Sequence, residues 1–199
     1  MKFLCSDLEG VFIPEVWINV AEKTGISELR RTTRDEPDYG KLMRYRMGIL
    51  RNNNLKLKDI QDVIATIRPM EGALEMLAWI KQQLPVVIVS DTFTQFADPL
   101  IAQLHRPTLF CNELIIDDEG FIAGFRLRQE DQKRKVVQAL QGLKYTVIAM
   151  GDSYNDTSML IQAEHGILFR PPDNVIRDFP KFPVAKNYQE LKEIISSVL

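Results

Sequence analysis

The chain has little of the chemistry that most readily betrays a function. In 199 residues it carries two cysteines, Cys5 and Cys111, and two histidines, His105 and His165. Two thiols, each inside an apolar run, cannot build a disulfide framework, and both read as small core residues of a reduced protein. Nothing in the sequence marks a base or cation that would activate Cys5, which argues against it as a nucleophile. The histidines flank helix ends with no second ligand nearby and read as structural. An excess of one charge is also missing: the net charge is -2 with no basic cluster, which argues against nucleic acid as the main partner. No apolar run approaches the roughly 20 residues that span a bilayer. The first apolar run meets Asp7 almost at once, so the chain does not open like a secretory signal. A cytoplasmic protein is expected, with neither nucleic acid nor membrane as partner.

What the chain does have is acid where apolar runs stop. With 45% hydrophobic and 26% charged residues it suits one globular domain carrying an insertion. Residues 2–10, Lys-Phe-Leu-Cys-Ser-Asp-Leu-Glu-Gly, read as a buried parallel strand ending at Asp7 and Glu9. Alternation sets those two carboxylates on one side, at the carboxyl end where open α/β sheets bind ligands. Paired carboxylates repel each other and resist desolvation, and a hard cation such as Mg²⁺ offsets both costs. Alone, Asp-x-Glu-Gly reads more readily as a turn opening into solvent; the rest of the chain decides.

From 13 to 69 the pattern is helical, over 15–23, 41–50 and 55–67, with a polar break over 33–39 and no strand signal. A structureless connection of that length is uncommon, so the stretch reads as a helical insertion. A helix over 69–84, with Met70, Leu74, Leu77, Ala78 and Ile80 on one face, leads into Val-Val-Ile-Val and then Ser90-Asp91-Thr92. That repeats the opening arrangement and places Ser90 and Asp91 at the N-terminus of a helix over 93–104, where an anion is favoured. A plain N-cap is the competing reading. Strands follow over 108–111 and within 113–128, the latter folding about Asp117-Asp118-Glu119-Gly120. Next comes Lys133, a base in the first turn of a helix. The dipole favours acids there, so the lysine invites a nearby phosphate as its explanation. The strand 145–150 ends at Gly151-Asp152-Ser153-Tyr154-Asn155-Asp156, ahead of a helix to Ala163. With Asp7 and Glu9, Asp152 and Asp156 make a candidate metal site fed by two strands. Short strands over 166–169 and 183–186 and a helix over 188–198 close the chain.

In order and spacing, Asp7-x-Glu9-Gly10, Ser90-Asp91, Lys133 and Gly151-Asp152-x-x-Asn155-Asp156 resemble the haloacid dehalogenase superfamily of phosphatases, over nearly the whole chain. The insertion resembles the cap of its phosphoserine phosphatases, some of which also transfer phosphate to homoserine. The resemblance implies an α/β fold: a Rossmann-like, doubly wound, mainly parallel core of residues 1–12 and 70–199, with a small helical cap of residues 13–69 after the first strand. It implies Asp7 as nucleophile, Glu9 as general acid and base, and Mg²⁺ held by Asp7, the backbone carbonyl of Glu9 and Asp152, with Asp156 behind them. Ser90, the Asp91 N–H and Lys133 would grip the phosphoryl oxygens, and Glu15, Arg46 and Asn155 the amino-acid head. The implied activity is Mg²⁺-dependent phosphoserine hydrolysis, with homoserine as a second acceptor; the alternative is a phosphatase of another small phosphorylated metabolite. Three positions depart from the common pattern: Glu9 stands for a second aspartate, Val11 for threonine, and Asp91 for glycine.

Overall fold

The computed structural model describes every residue of 1–199 except Thr33, Arg34 and Pro37; the polar break read over 33–39 falls partly on these and lies to that extent outside the described residues. Among the described residues seven strands form one sheet: β1 (Lys2–Ser6), β2 (Val86–Phe93), β3 (Leu109–Ile116), β4 (Ile122–Arg126), β5 (Thr146–Gly151), β6 (His165–Phe169) and β7 (Val184–Ala185). Their order is β4-β3-β2-β1-β5-β6-β7, parallel throughout except for the β3–β4 hairpin. From β1 the chain builds outward to one side and then, at β5, to the other. The order therefore reverses between β1 and β5, the place where a doubly wound sheet opens a crevice at its carboxyl edge.

Continuous apolar runs make the central strands because both of their faces are covered. On β1, Leu4 joins a core with Ile88, Ile148 and Met150, while its neighbour Cys5 joins a separate core with Val87, Val89 and Ala149. Cys5 and Cys111 are free and buried. Burial pushes the Cys5 thiol up to about 12, in keeping with an inert core residue.

Between β1 and β2 lie α1 (Val16–Thr24), a 3-10 helix (Ser27–Arg30), α2 (Tyr39–Asn52) and α3 (Leu57–Ile64). The two ends of this helical stretch meet: the Met70 N–H donates to the Phe12 carbonyl at 2.9 Å. Of α4 (Ala73–Gln83), α5 (Thr94–Gln103), α6 (Gln132–Gly142), α7 (Thr157–Gln162), α8 (Asp173–Asp178) and α9 (Tyr188–Ser197), α4, α5 and α9 pack into the Leu4 core and α6, α7 and α8 into the Cys5 core. Among the described residues no helix is long and apolar enough to cross a membrane.

Several boundaries move from their sequence reading. The helix expected over 69–84 begins at Ala73, after Gly72 at φ 81°, and buries Ala73, Met76, Leu77 and Ile80 while Leu74 is exposed. The strands expected at 108–111 and from 113 fuse into β3, because Asn112 between them is itself buried and hydrogen-bonded. The helix after Asp156 ends at Gln162, and Tyr154–Asp156 forms a 3-10 turn before it. Ser90 and Asp91 do not stand at a helix N-terminus. They lie on β2, which runs to Phe93, and α5 starts at Thr94.

Candidate active site

β1 and β5 are adjacent, so the residues that follow them meet. The Asp7 N–H donates to the Met150 carbonyl at 3.0 Å, which sets Asp7 beside the β5 end that carries Asp152. The 3-10 turn then folds Asp156 back beneath Asp152. One Asp156 oxygen accepts the N–H groups of Asp152 at 3.0 Å and Ser153 at 3.1 Å, while the other accepts Lys133 Nζ at 2.7 Å. Asp7, Asp152 and Asp156 each offer an oxygen within 4.8 Å of the others, and all three are buried. The Glu9 carboxylate is not in this group. The strand stops at Ser6, and Glu9 turns to the start of α1, where it accepts the Val16 N–H at 2.8 Å. The sequence reading of Asp7 and Glu9 carboxylates meeting at a strand end is corrected accordingly: strand alternation does not extend through the turn at Leu8–Gly10.

Two glycines make the close approach possible. A Cβ on Gly10 would sit 2.5 Å from the Asp152 Cγ, and one on Gly151 would sit 2.3 Å from the Asp156 Cγ. Gly10 also has φ 74°, which side chains rarely adopt. Gly10→Ala is therefore expected to lower stability by about 1–3 kcal/mol and to weaken the melting-temperature rise expected of the wild type in MgCl₂, both read from thermal melts with and without the salt.

Charge balance tests the cluster as a cation site. Lys133 is buried and faces Asp156 at 2.7 Å, Asp7 at 3.1 Å and Asp91 at 3.6 Å, and Asp152 adds a further carboxylate. One ammonium faces more acid than it can balance. Burial, with Asp156 beside it, pushes the Asp7 carboxyl well above the usual carboxylate range despite Lys133. Burial and Asp156 likewise push Asp152 to about 7. An all-oxygen, acid-rich and buried donor set fits Mg²⁺ and no soft metal.

The rim of the crevice is built by β2. Its pairing with β3 steps from Val89↔Phe110 to Phe93↔Asn112, so Ser90, Asp91 and Thr92 form a bulge at the carboxyl edge. Gln132, first residue of α6, donates to the Ser90 carbonyl at 2.9 Å and to the Asp91 carboxylate at 3.1 Å. Asn155 donates to the same carboxylate at 3.1 Å. These contacts and the Lys133 charge outweigh burial and hold the Asp91 carboxyl below its usual range.

Above the carboxylates, the pocket is closed by residues of the insertion, including Glu15, Trp17, Tyr39 and Arg46. Glu15 immediately precedes α1, near Glu9, and burial together with the Glu15 charge pushes the Glu9 carboxyl up to about 8. Arg46 is 5% exposed, lies over the Trp17 ring at 4.5 Å, and donates to the Arg31 carbonyl at 2.7 Å. Its buried Nε has no hydrogen-bond partner, and among the described residues no carboxylate forms an ion pair with it. Burial lowers the guanidinium to about 10. A buried, underpaired cation facing a cavity is a binding site for an anionic group.

All ten residues singled out in the sequence come together here: Asp7, Glu9, Glu15, Arg46, Ser90, Asp91, Lys133, Asp152 and Asn155 line the pocket, and Asp156 lies beneath it. Neither histidine does. Trp17, Tyr39 and Gln132 were missed. Trp17 and Gln132 lie within two residues of Glu15 and Lys133, which is a usable signal; Tyr39 had none.

The haloacid dehalogenase-like hydrolase family model matches residues 15–164. The chain is 55% identical over 192 residues to "Phosphoserine phosphatase ThrH" of Pseudomonas aeruginosa, covering 96% of this chain and 94% of the relative. It is 53% identical over 193 residues to a phosphoserine phosphatase of Pseudomonas syringae pv. tomato, covering 97% and 81%. Its fold is shared with a solved phospho-aspartyl intermediate analogue of phosphoserine phosphatase, at TM-score 0.79, 20% identity and 98% coverage of both chains. The family model stops short of Asp7 and Glu9, but the relatives extend over nearly the whole chain, and on these matches it belongs to the haloacid dehalogenase-like hydrolase family.

Proposed function

We propose that the chain is a Mg²⁺-dependent phosphoserine phosphatase that works through an aspartyl-phosphate at Asp7 and also passes the phosphoryl group to homoserine. The observation that carries the substrate class is Arg46, a buried cation that forms no ion pair with a carboxylate among the described residues. It lines the same pocket as Lys133 and Asp7. A phosphorylated amino acid supplies what each end lacks: a carboxylate for Arg46 and a phosphoryl group for Lys133. Glu15 then takes the ammonium and Asn155 borders the head. High identity to two phosphoserine phosphatases supports the same substrate.

In this reading residues 13–69 are a cap on a core of residues 1–12 and 70–199. The Met70–Phe12 hydrogen bond at the neck between them supports that division. Asp7, Asp152 and the Glu9 carbonyl would hold Mg²⁺. Asp156, whose two oxygens are already engaged by Lys133 and two N–H groups, orients the others from behind. When bound, Mg²⁺ offsets the carboxylate charge and polarises the phosphoryl group. An Asp7 oxygen attacks phosphorus, the bond to the serine oxygen breaks, and Glu9 gives its proton to that oxygen. Lys133, Ser90 and the Asp91 N–H stabilise the charge on the phosphoryl oxygens. Glu9, now ionised, takes a proton from water, which attacks phosphorus and restores Asp7. Homoserine, with the same ammonium and carboxylate and one more methylene, takes the place of water in the transfer reaction. The expected place of work is the cytoplasm.

A panel of phosphoserine, phosphothreonine and p-nitrophenyl phosphate, with and without EDTA, tests the assignment. Phosphoserine is expected to be preferred, and EDTA to stop turnover. Arg46→Ala is expected to lose about 2–4 kcal/mol in kcat/KM for phosphoserine and far less for p-nitrophenyl phosphate, which has no carboxylate. Equal losses on both would show that Arg46 does not hold the head. Mass spectrometry of products at saturating homoserine tests transfer: phosphohomoserine is expected, and inorganic phosphate alone would leave a plain phosphatase.

A further inference from the structure

The Ser90–Asp91–Thr92 bulge is held from outside. The Ser90 carbonyl accepts Gln132 Nε2 at 2.9 Å, and the Asp91 carbonyl accepts the Tyr39 hydroxyl at 2.7 Å and Asn112 Nδ2 at 3.2 Å. On the other side of that same peptide group, the Thr92 N–H donates to Ser90 Oγ at 3.2 Å. A peptide group is planar, so fixing its carbonyl fixes the direction of its N–H. Here the N–H occupies a Ser90 lone pair and leaves the hydroxyl proton free to be given to another oxygen.

Of the three side chains that hold these carbonyls, Tyr39 alone comes from the insertion. It is the first residue of α2, whose start is fixed by Asp38 accepting the Lys41 N–H at 2.9 Å. Its ring packs against Phe93 at 6.5 Å and Phe125 at 6.1 Å, both on the sheet. Burial, with the Asp91 charge beside it, pushes the phenol well above its ordinary range, so it stays a donor.

We infer that Tyr39 is a positioning residue that links the seating of the helical insertion to the phosphoryl grip, acting through the Asp91 carbonyl and the Thr92 N–H on the Ser90 hydroxyl. The inference rests on the proposed phosphatase reading and adds a coupling between substrate-head closure and phosphoryl binding. It differs in signature from Arg46. A head contact matters only for substrates with a head, whereas a residue that sets Ser90 matters for every phosphate ester.

Tyr39→Phe keeps the ring and removes only the donor. Its kcat/KM is expected to fall on the order of tenfold for phosphoserine and p-nitrophenyl phosphate alike. Beryllofluoride binding with Mg²⁺, followed by the fluorescence of Trp17 in the same pocket, is expected to weaken by a similar factor, while the melting temperature moves by no more than about 2–4 °C. A loss confined to phosphoserine would make Tyr39 a head contact and overturn the inference, as would wild-type kinetics in the variant. Failure of the phosphatase reading shows differently: the wild type would then turn over neither ester, and the beryllofluoride titrations of wild type and Tyr39→Phe alone would decide the role of Tyr39.

Discussion

Asp7→Asn is expected to lower turnover of every phosphate ester by at least roughly 10⁴-fold, the scale of losing a covalent nucleophile. The amide keeps the size of the carboxylate and can still accept the Leu8 N–H, which Asp7 Oδ1 accepts at 2.8 Å. It cannot form an acyl phosphate, and it donates one fewer negative charge to the cluster with Asp152 and Asp156. Stability should move the other way from activity. In EDTA, Asp7→Asn is expected to melt at or above the wild type, because a buried carboxylate crowded by Asp156 and Asp152 has been removed. Added MgCl₂ should then raise the wild-type melting temperature more than that of the variant. A variant that retains turnover rules out the covalent route, and one that loses its fold makes its inactivity uninformative, which circular dichroism resolves.

Glu9→Gln is expected to cost on the order of 10²–10⁴-fold, the usual contribution of a positioned acid and base. The glutamine oxygen can still accept the Val16 N–H, so α1 keeps its start and the loss is chemical. With its carboxyl pushed up to about 8 by burial and Glu15, Glu9 carries a proton at neutral pH, as its proposed role of protonating a departing alkoxide requires. p-Nitrophenolate leaves without help, so formation of the aspartyl-phosphate from p-nitrophenyl phosphate should be much less impaired than from phosphoserine. In a stopped-flow trace that difference appears as a surviving burst of p-nitrophenolate followed by slow turnover. Hydrolysis and transfer to homoserine should fall together, since on the proposed mechanism both acceptors give their proton to the same carboxylate. A Glu9→Gln enzyme with unchanged phosphoserine turnover would remove Glu9 from the chemistry.

Much of this arrangement is legible in the chain because its causes are local. β1 and β5 show as unbroken apolar runs since both faces are buried, and the acids that end them could lie only at the sheet edge. Lys133 shows as a base where a helix dipole favours acid, and its reason is the carboxylates of Asp7, Asp91 and Asp156, which face its ammonium within the fold.

Other parts depend on residues far apart in the chain. The Ser90–Thr92 bulge needs β3 as its partner, so the sequence reads Ser90 and Asp91 as the mouth of the helix over 93–104, whereas both lie on β2, which runs to Phe93. Strand alternation pairs Glu9 with Asp7, and it fails as soon as the chain turns at Leu8–Gly10. Arg46 and Glu15 are ordinary charges on helical stretches until the insertion closes over the sheet, and only the family resemblance marked them. Tyr39 carried no mark at all, because its hydroxyl finds the Asp91 carbonyl 52 residues away.

The most direct measurement is chemical. Wild-type protein with Mg²⁺ is mixed with phosphoserine labelled in its phosphoryl group, quenched in acid within milliseconds, digested, and the labelled peptide sequenced by mass spectrometry. Label on Asp7, absent in Asp7→Asn and discharged by homoserine into phosphohomoserine, is the expected result. Substrate consumed with no label on Asp7 at any quench time, or label on another residue, would contradict the aspartyl-phosphate mechanism.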